Sequence, residues 1–526
     1  MKKSRVLGII LSLSCVFTTA LTGCSSTPQE TKPGSQQSNS TATAPIEGGT
    51  LVIARLSDAT KLDPHLGADI PSASVYQSKI YENLVKQDEK MEIKPELATE
   101  WKKLDDLTWE FKLRQGVTFH DGTPFTAEAV KKTIARLLDK KTGSPRANLF
   151  EMVEEVKVID DYTVQFKTKY PYVPLLPTLA HYAGGIISPK AIDELGEKLG
   201  QNPVGTGPFK FESWVPGQEI TLTKNDNYWG NKAKVDKVVF KIIPEDTTRI
   251  AMVETGEAQI AEPIPVTEME RIHASSTMSL YRSDAWGTDY IGFNLKKKPF
   301  DDVRVRQAIS YAIDTDAIIK GVFNNVGKKA AGPMGSGVWG YSENIKGYEY
   351  DINKAKALLA EAGYPNGFKT TIWTNDKKER MNLAEVVQSQ LKGIGIDLEI
   401  KVVEWGTYLE ATGKGEHDMF ILGWSNATGD ADYNQYFNYH TEAHGSVGNR
   451  FFYSNPEVDK LIDAGRREAD ETKRKAIYEK AQEIEMRDAP MVMIRYFENL
   501  AVTGKNVKDF WIHPSGNLML NDVSLQ

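Results

Sequence analysis

The chain has 526 residues, of which 40% are hydrophobic and 10% aromatic, and it carries a formal net charge of -7 at pH 7. This composition is that of a globular protein, and its acidity argues against nucleic acid or an anionic membrane surface as the main partner. A chain of this length normally divides into more than one lobe.

The first residues have the form of a secretory signal. A basic stretch, Met1–Arg5, precedes the mostly apolar and uncharged segment Val6–Leu21. That order is typical of a signal peptide. The segment is too short, and too often interrupted by Ser and Thr, to be a typical membrane-spanning helix. It ends in Leu-Thr-Gly-Cys at residues 21–24, which is similar to the lipobox of bacterial lipoproteins. The resemblance implies a signal peptide of residues 1–23 and a lipid on the thiol of Cys24.

Cysteine usage agrees with an exported, lipid-anchored protein. The two cysteines are Cys15, inside the predicted signal, and Cys24, at the predicted anchor. Residues 24–46 are rich in Ser, Thr, Gln, Pro and Gly, and this composition cannot bury enough apolar surface to become ordered. We expect a flexible tether there, a globular body from residue 47 onward, and a location on the outer face of the cell membrane.

The first half of the body alternates strand and helix patterns. Period-two alternation predicts strands, helical spacing predicts helices, with Thr126 as an N-cap, and the Pro-Gly pair at residues 216–217 predicts a hairpin turn. The predicted strands are Thr50–Ala54, Leu107–Leu113, Phe209–Trp214, Glu219–Thr223 and Val235–Ile243. The predicted helices are Thr126–Leu138 and Asp246–Glu254.

The second half of the body also alternates strand and helix patterns. The strand that ends at Trp424 is expected to run into a polar loop. The predicted strands are Tyr290–Leu295, Thr370–Thr374, Asp397–Val403, Met419–Trp424 and Val492–Phe497. The predicted helices are one or two within Val303–Phe323, then Asn353–Ala362, Arg380–Leu391, Val458–Ala469 and Thr472–Met486. This order indicates an α/β or α+β class with mixed sheets.

Signatures of catalysis are scarce. The chain has no G-x-S-x-G nucleophile elbow and no H-E-x-x-H or C-x-x-C zinc motif. Residues 335–340 match G-x-G-x-x-G, but they neither follow a clear strand nor open a clear helix, so they indicate a surface loop. We therefore expect no enzyme activity and no cofactor.

Two histidines are candidates for metal contact. His440 and His444 lie four residues apart around Glu442, and on a helix that spacing would present a metal-binding face. Thr441 and Gly445 argue instead for a loop. Plain surface is the favoured interpretation, and contact with a metal or metal chelate stays open as an alternative.

Five blocks together resemble the extracellular solute-binding proteins, family 5, of peptide, nickel and glutathione ABC importers: Leu97–Trp101, Leu107–Phe125, Pro203–Phe209, Val303–Ile309 and Gly423–Trp424. The resemblance covers nearly all of the body. It implies a two-lobed, periplasmic-binding-protein-like α/β fold with mixed sheets, in which crossing strands form a hinge and the ligand is enclosed between the lobes. Lobe I would comprise residues 47–282 and 490–526, and lobe II residues 283–489.

The same resemblance implies where a ligand is held. Arg146 matches a position where glutathione and nickel-chelate binders carry an arginine that pairs with a carboxylate, a task suited to the guanidinium fork. Peptide binders of the family hold the free amine with an aspartate, but that position falls here on Ala427. Asp430 or Asp432 would then take the amine, because a buried ammonium needs a partner.

Aromatic residues at strand ends are expected to wall the ligand cleft. Trp405 and Trp424 are the main candidates. Tyr290 and Arg380 complete the predicted ligand-binding set.

The favoured function is a monomeric binding lipoprotein that captures a small peptide, glutathione or similar, and delivers it to the membrane permease subunits of an importer with a separate ATPase. A nickel-chelate binder of the same type is the first alternative, with His440 and His444 as contacts. A peptide-sensing surface receptor is the second. A surface hydrolase is disfavoured because nucleophile signatures are missing.

Overall fold

The computed structural model describes residues 48–445 and 448–526. The predicted signal peptide, Cys24 and the predicted tether lie outside these residues. Within the described part of the chain, no helix combines the length and the apolarity needed to cross a membrane.

Strands and short helices alternate in the chain before residue 278. The strands are β1 Thr50–Arg55, β2 Val85–Gln87, β3 Ile93–Pro95, β4 Ala98–Lys103, β5 Thr108–Leu113, β6 Val153–Asp160, β7 Thr163–Thr168, β8 Phe209–Val215, β9 Glu219–Lys224, β10 Lys237–Ile242 and β11 Ile260–Glu262. The α-helices are α1 Ile70–Tyr76, α2 Ala127–Leu138, α3 Leu175–Leu179, α4 Pro189–Leu195, α5 Asp246–Thr255 and α6 Met269–His273.

Longer helices follow in the rest of the chain. The strands are β12 Met278–Phe293, β13 Lys328–Lys329, β14 Lys369–Asn375, β15 Asp397–Val403, β16 Met419–Ser425, β17 Met491–Gly504, β18 Val507–Lys508, β19 Trp511–Ile512, β20 Leu518–Met519 and β21 Ser524–Leu525. The α-helices are α7 Val303–Ala312, α8 Thr315–Gly321, α9 Ile352–Glu361, α10 Lys378–Lys392, α11 Trp405–Gly413, α12 Ala431–Tyr439, α13 Pro456–Arg467 and α14 Glu471–Asp488.

A mixed sheet of eleven strands organises the molecule, with β13 joined to β17 and the others in the order β15-β14-β16-β12-β17-β11-β1-β10-β9-β8. Strand β1 is parallel to β10 and β11, whereas β12 is antiparallel to β16 and β17. A second, antiparallel sheet has the order β4-β5-β7-β6. The predicted mixed sheets are therefore confirmed.

Two long strands cross between the two lobes of the fold. β12 has 16 residues and β17 has 14, and they pair from Met278 opposite Gly504 to Gly292 opposite Met491. We call the elements before β12, with the segment after β17, the first lobe, and the elements between β12 and β17 the second lobe. The predicted boundary between residues 282 and 283 falls inside β12.

The sequence pattern predicted only the apolar ends of these crossing strands. Tyr290–Leu295 and Val492–Phe497 cover less than half of each, because polar residues interrupt the alternation further along. Ser283 and Asp284 lie opposite Asn499 and Glu498 in the pair. Backbone pairing with the neighbouring strand, rather than a hydrophobic stripe, continues β12 through this stretch.

Helix α12 follows the polar loop that was predicted after Trp424, which the structure places at residues 426–430. All nine of its residues are buried, so it has no solvent-facing stripe from which a helical period could be read. Its polar side chains find partners in the interior: the Asn434 amide donates to the carbonyl oxygen of Pro333 at 3.2 Å, and the Gln435 amide donates to Glu485 at 3.1 Å. The sequence pattern did not predict this helix, because tertiary hydrogen bonds rather than a local period satisfy its polar residues.

Two of the sequence blocks pack directly against each other. A Cβ on Gly205 would come within 2.0 Å of the Ile80 carbonyl oxygen, and one on Gly207 within 2.2 Å of the Lys79 carbonyl oxygen, so only glycine fits this close approach. The His120 ring Nε2 lies 3.0 Å from the Gly207 carbonyl oxygen. The glycine-rich block and the block around His120 thus pack together in the first lobe.

Candidate functional site

A cleft of about 320 Å³ lies between the two lobes. From the first lobe it is lined by the ends of β1 and β11, by residues 68–71 leading into α1, and by Arg146 and Tyr182. From the second lobe it is lined by the starts of α10 and α11 and by the end of β16, and the crossing strands β12 and β17 complete it. Chain segments distant in sequence meet here because the hinge strands bring both lobes together.

Arg146 presents a buried cation to this cleft. Its side chain is 3% exposed, and Nη2 donates to the Ala68 carbonyl oxygen at 2.9 Å and to the hydroxyl of Tyr182. Nε and Nη1 have no hydrogen-bond partner within the described chain, and Arg146 forms no ion pair there. A buried guanidinium with two unused donors is suited to binding a carboxylate.

Aromatic rings surround that cation. The guanidinium carbon of Arg146 lies 5.4 Å from the ring centre of Tyr182 and 5.8 Å from that of Tyr433. Trp424 packs on Tyr433 with ring centres 5.4 Å apart, and Trp405 lies across the cleft lining. The indole Nε1 atoms of Trp405 and Trp424 have no hydrogen-bond partner in the described residues. Both tryptophans thus lie in the cleft lining.

Arg380 also reaches the cleft lining, close to Trp405. Its Nη1 donates to Oδ1 of Asn375 at 2.9 Å, and its guanidinium carbon lies 5.8 Å from the Trp405 ring centre. It makes no ion pair with a carboxylate of the described chain. Arg146 and Arg380 are therefore two cleft cations without a close ion pair in the described chain.

Carboxylates in the cleft lining are, by contrast, mostly paired internally. Glu262 pairs with Arg55 at 3.6 Å, and Glu379 pairs with Lys377 at 3.0 Å. Glu498 pairs with Arg282. The remaining two are Asp289 and Asp69.

Asp289 is held ionised by cations. It accepts a hydrogen bond from Arg495 Nε at 2.8 Å. Burial opposes ionisation of this carboxyl, but Arg495, Lys377 and Arg380 hold its pKa below the ordinary value. Asp69 accepts hydrogen bonds from the hydroxyls of Thr60 and Ser72, and burial raises its pKa. Arg380 therefore has Asp289 as an acidic neighbour, whereas Arg146 has no carboxylate partner in the described chain.

Asp430 and Asp432, predicted to take the ligand amine, do not line the cleft. Asp430 accepts two hydrogen bonds from Arg474, at 2.6 and 2.7 Å, and caps α12 by accepting from the backbone N–H of Asp432. Asp432 lies 3.1 Å from Arg466 Nε and accepts from the Tyr172 hydroxyl at 2.9 Å. Both carboxylates are committed to structural partners, so the structure places them away from the predicted role.

Tyr290 is likewise outside the cleft lining. It is 1% exposed, and its ring packs edge-on against Phe420 at 6.0 Å and against Phe451 at 5.3 Å. Strand alternation explains this placement, because Asp289 next to it points into the cleft and Tyr290 therefore points into the core.

His440 and His444 do not reach the cleft either. The His440 ring stacks on Tyr436 at 4.8 Å, and the His444 Nε2 lies 2.7 Å from the Tyr453 carbonyl oxygen. Within residues 48–445 and 448–526, no group of three or more His, Cys, Asp or Glu side chains is placed to hold a metal ion. The residues that follow α12 form a short 3₁₀ turn, Thr441–Ala443, rather than the helical face that a metal site would need.

The sequence interpretation missed Tyr182, Arg450 and Arg495. Arg495 had a usable signal, since an arginine within the apolar run 491–494 is a buried charge that requires a partner. Arg450 donates to the hydroxyl of Thr412 at 2.8 Å, and burial lowers its pKa to about 10. Tyr182 and Arg450 lie in segments whose local pattern carries no such signal.

Comparison with known proteins places the chain among transport proteins. The family described as bacterial extracellular solute-binding proteins, family 5, middle region, matches residues 92–446. The glutathione-binding protein GsiB of Escherichia coli (strain K12) is 33% identical over 485 residues, covering 90% of this chain and 94% of that protein.

Solved structures agree with this placement. The periplasmic binding protein DppA from Helicobacter pylori, in complex with the peptide STSA, is 35% identical with a TM-score of 0.86, over 91% of this chain and 98% of that one. The oligopeptide-binding protein AppA from Bacillus subtilis, in complex with a nonapeptide, is 29% identical with a TM-score of 0.86, over 92% of this chain and 100% of that one. The two-lobed fold predicted from the sequence is confirmed.

Proposed function

This chain belongs to the bacterial extracellular solute-binding proteins of family 5, and we propose that its solute is a short peptide with a free carboxylate, in the class of glutathione. The family consists of solute-binding proteins of transporters rather than enzymes. The chain would enclose the peptide between its lobes and deliver it to the permease subunits of an ABC importer.

The observation that carries this proposal is the state of Arg146. A guanidinium that is 3% exposed, lines the cleft and has two unused donors is costly to leave unpaired. A ligand carboxylate would satisfy both donors through a bidentate pair. Arg380 would meet a second carboxylate of an acidic ligand such as glutathione, while Trp405 and Trp424 would enclose its backbone and offer their Nε1 donors.

The size of the cleft supports a short ligand. Its volume of about 320 Å³ lies at the lower end of the range of roughly 300–1,000 Å³ found for small-molecule sites. The amine of the peptide needs an acceptor other than Asp430 or Asp432. Asp289 is the best placed of the lining carboxylates, since its pKa is lowered and only Oδ2 is used by Arg495.

The finer parts of the proposal concern anchoring and organisation. The protein would be held on the outer face of the cell membrane by a lipid on Cys24, act as a monomer, and hinge between a lobe of residues 47–282 and 490–526 and a lobe of residues 283–489. The lipobox-like motif supports the anchor, and the crossing of β12 and β17 supports the hinge.

Thermal unfolding of the purified protein with a panel of solutes tests the ligand class. The panel contains neutral dipeptides, peptides with acidic side chains, a nonapeptide, reduced and oxidised glutathione, and nickel with and without free histidine. A ligand at about 100 times its dissociation constant adds roughly 2.7 kcal/mol of stability. Stabilisation by glutathione or acidic short peptides is expected, and stabilisation by the nickel chelate alone would contradict the proposal.

A further inference from the structure

A cluster of polar groups joins the two lobes outside the cleft lining. We call the following four residues the interlobe latch: Glu151 and Tyr172 of the first lobe, and Asp432 and Arg466 of the second. None of the four is part of the cleft lining. The side chains of Asp432 and Arg466 are 3% and 2% exposed, so two full charges are kept in the interior where the lobes meet.

The contacts of the latch cross the lobe boundary in both directions. Arg466 Nη1 donates to Glu151 Oε1 at 2.7 Å, and the hydroxyl of Tyr172 donates to Asp432 Oδ2 at 2.9 Å. The backbone N–H of Val173 adds a hydrogen bond of 3.4 Å to the Arg466 carbonyl oxygen. The charge-bearing side chains of α12 and α13 therefore take part of their hydrogen bonding from the opposite lobe.

Arg466 is also held between aromatic rings from both lobes. Its guanidinium carbon lies 4.1 Å from the ring centre of Tyr436 in its own lobe and 5.5 Å from that of Tyr172 in the other. Opening the cleft would separate Arg466 from Tyr172 and Glu151 while the Asp432 pair stays within the second lobe. Each hydrogen bond to a charged group that is lost would have to be replaced by water.

We propose that this latch keeps the lobes closed in the empty protein as well as around a solute, and thereby limits how fast a solute reaches the cleft. Its contacts involve protein groups alone, so they are available whether or not a solute is bound. Loss of the latch would then raise the population of open protein, and solutes could bind only through that population. The effect on solute capture rests on the proposed function, whereas the effect on lobe closure does not.

The test is the double variant Tyr172→Phe/Glu151→Gln, which removes the cross-lobe hydroxyl and the cross-lobe charge while keeping the shape of both side chains. The matched control is Tyr162→Phe/Glu154→Gln, since Tyr162 lies in the turn between β6 and β7 and Glu154 pairs with Lys167 within the first lobe. Circular dichroism establishes that both variants are folded. The single variant Tyr172→Phe provides a milder form of the same change.

Two measurements decide the outcome. Small-angle X-ray scattering of the empty proteins is expected to give a larger radius of gyration for the latch variant than for the parent and the control. Stopped-flow tryptophan fluorescence is expected to show that a binding peptide associates roughly tenfold faster or more, the factor set by losing a charged hydrogen bond.

An unchanged radius of gyration in a folded latch variant overturns the proposal, whatever the protein binds. If no peptide of the panel binds the parent, the proposed function is contradicted. The radius of gyration of the empty proteins then still tests the latch. A loss of thermal stability without any change in size or association rate would assign the four residues a purely structural role and would also overturn it.

Discussion

Arg146 is a buried cation of the cleft lining that has no carboxylate partner in the described chain. It is buried beside Tyr182 and Tyr433, and two of its nitrogen atoms have no acceptor within the described chain. Substitution to glutamine would remove the charge and half of the fork, leaving a ligand carboxylate with a neutral donor. Substitution of Arg146 is therefore the most direct mutational test of the proposed function.

Arg146→Gln is expected to weaken binding of the stabilising peptide by about 2–5 kcal/mol, which is roughly 30-fold or more in the dissociation constant. Isothermal titration calorimetry measures the change. Arg304→Gln is the control, because it makes the same chemical change at an exposed arginine paired with Asp302 outside the cleft. Equal affinities in the two variants would remove Arg146 from the ligand site.

Glu96 shows what burial does to a carboxyl in the first lobe. It is 3% exposed and accepts a hydrogen bond of 2.7 Å from the backbone N–H of Asn83. Burial, with the nearby carboxylate of Glu82, raises the pKa of Glu96 from 4.5 to about 8. The folded chain therefore keeps a proton on Glu96 over a pH range in which the unfolded chain has released it.

This difference makes stability fall as pH rises between about 4.5 and 8, because the folded state binds the extra proton. Glu96→Gln keeps the size and the acceptor but does not titrate. In urea unfolding at pH 6, 7 and 8, the unfolding free energy of the variant is expected to rise relative to that of the parent by roughly 1.4 kcal/mol per pH unit. Glu257→Gln, at an exposed glutamate, should track the parent, and a pH-independent difference for Glu96→Gln would show that its pKa is ordinary.

Helix α12 illustrates how an element can be specified by its partners. Asp430 caps its first turn and forms a buried pair with Arg474 on α14, and Asp432 joins it to α13 through Arg466. These pairs fix α12 beside the cleft, where Tyr433 contributes to the lining. The two aspartates thus position a ligand-facing residue without touching the ligand themselves.

Asp430→Asn is expected to lower the unfolding free energy by about 3–5 kcal/mol, since Arg474 is left as a buried charge without a counterion. The dissociation constant of the peptide should stay close to that of the parent. Chemical unfolding and calorimetry on the same preparations separate the two effects.

Adding Arg474→Met to Asp430→Asn removes both charges and should restore much of the lost stability. A large loss of affinity with unchanged stability would instead return Asp430 to the role of amine acceptor.

The molecule as a whole depends on two strands that belong to both lobes. β12 and β17 pair along nearly their full lengths, and the cleft and the interlobe latch lie on the boundary that they span. Hinge motion about such strands would open the cleft without breaking the core of either lobe. The proposed anchor at Cys24 would place this hinged body close to a membrane permease.

Cys24→Ser is expected to release the protein from the membrane fraction when it is expressed in a bacterium that lipidates exported proteins, because the thiol that carries the lipid is absent. Fractionation followed by immunoblotting measures the distribution. Cys15→Ser, inside the predicted signal, should leave the protein with the membrane. Release of both variants, or of neither, would contradict anchoring at Cys24.

The sequence by itself determined the family, the fold class and most of the regular elements, because these depend on short-range patterns. The alternation at Thr108–Leu113, the helical spacing of α2 and the glycine-rich block at residues 203–209 are each readable within a few residues. Arg146 could be named as a cleft residue because it matches a family position, and Trp405 and Trp424 because they are aromatic residues at strand ends.

The tertiary structure alone decided which polar residues face the ligand and which hold the protein together. Asp430 and Asp432 have the right chemistry for an amine, but Arg474 and Arg466, more than thirty residues away in sequence, take their charges. Helix α12 and the polar halves of β12 and β17 were missed for a related reason. Their hydrogen bonds and burial come from distant segments, and no local period records such partners.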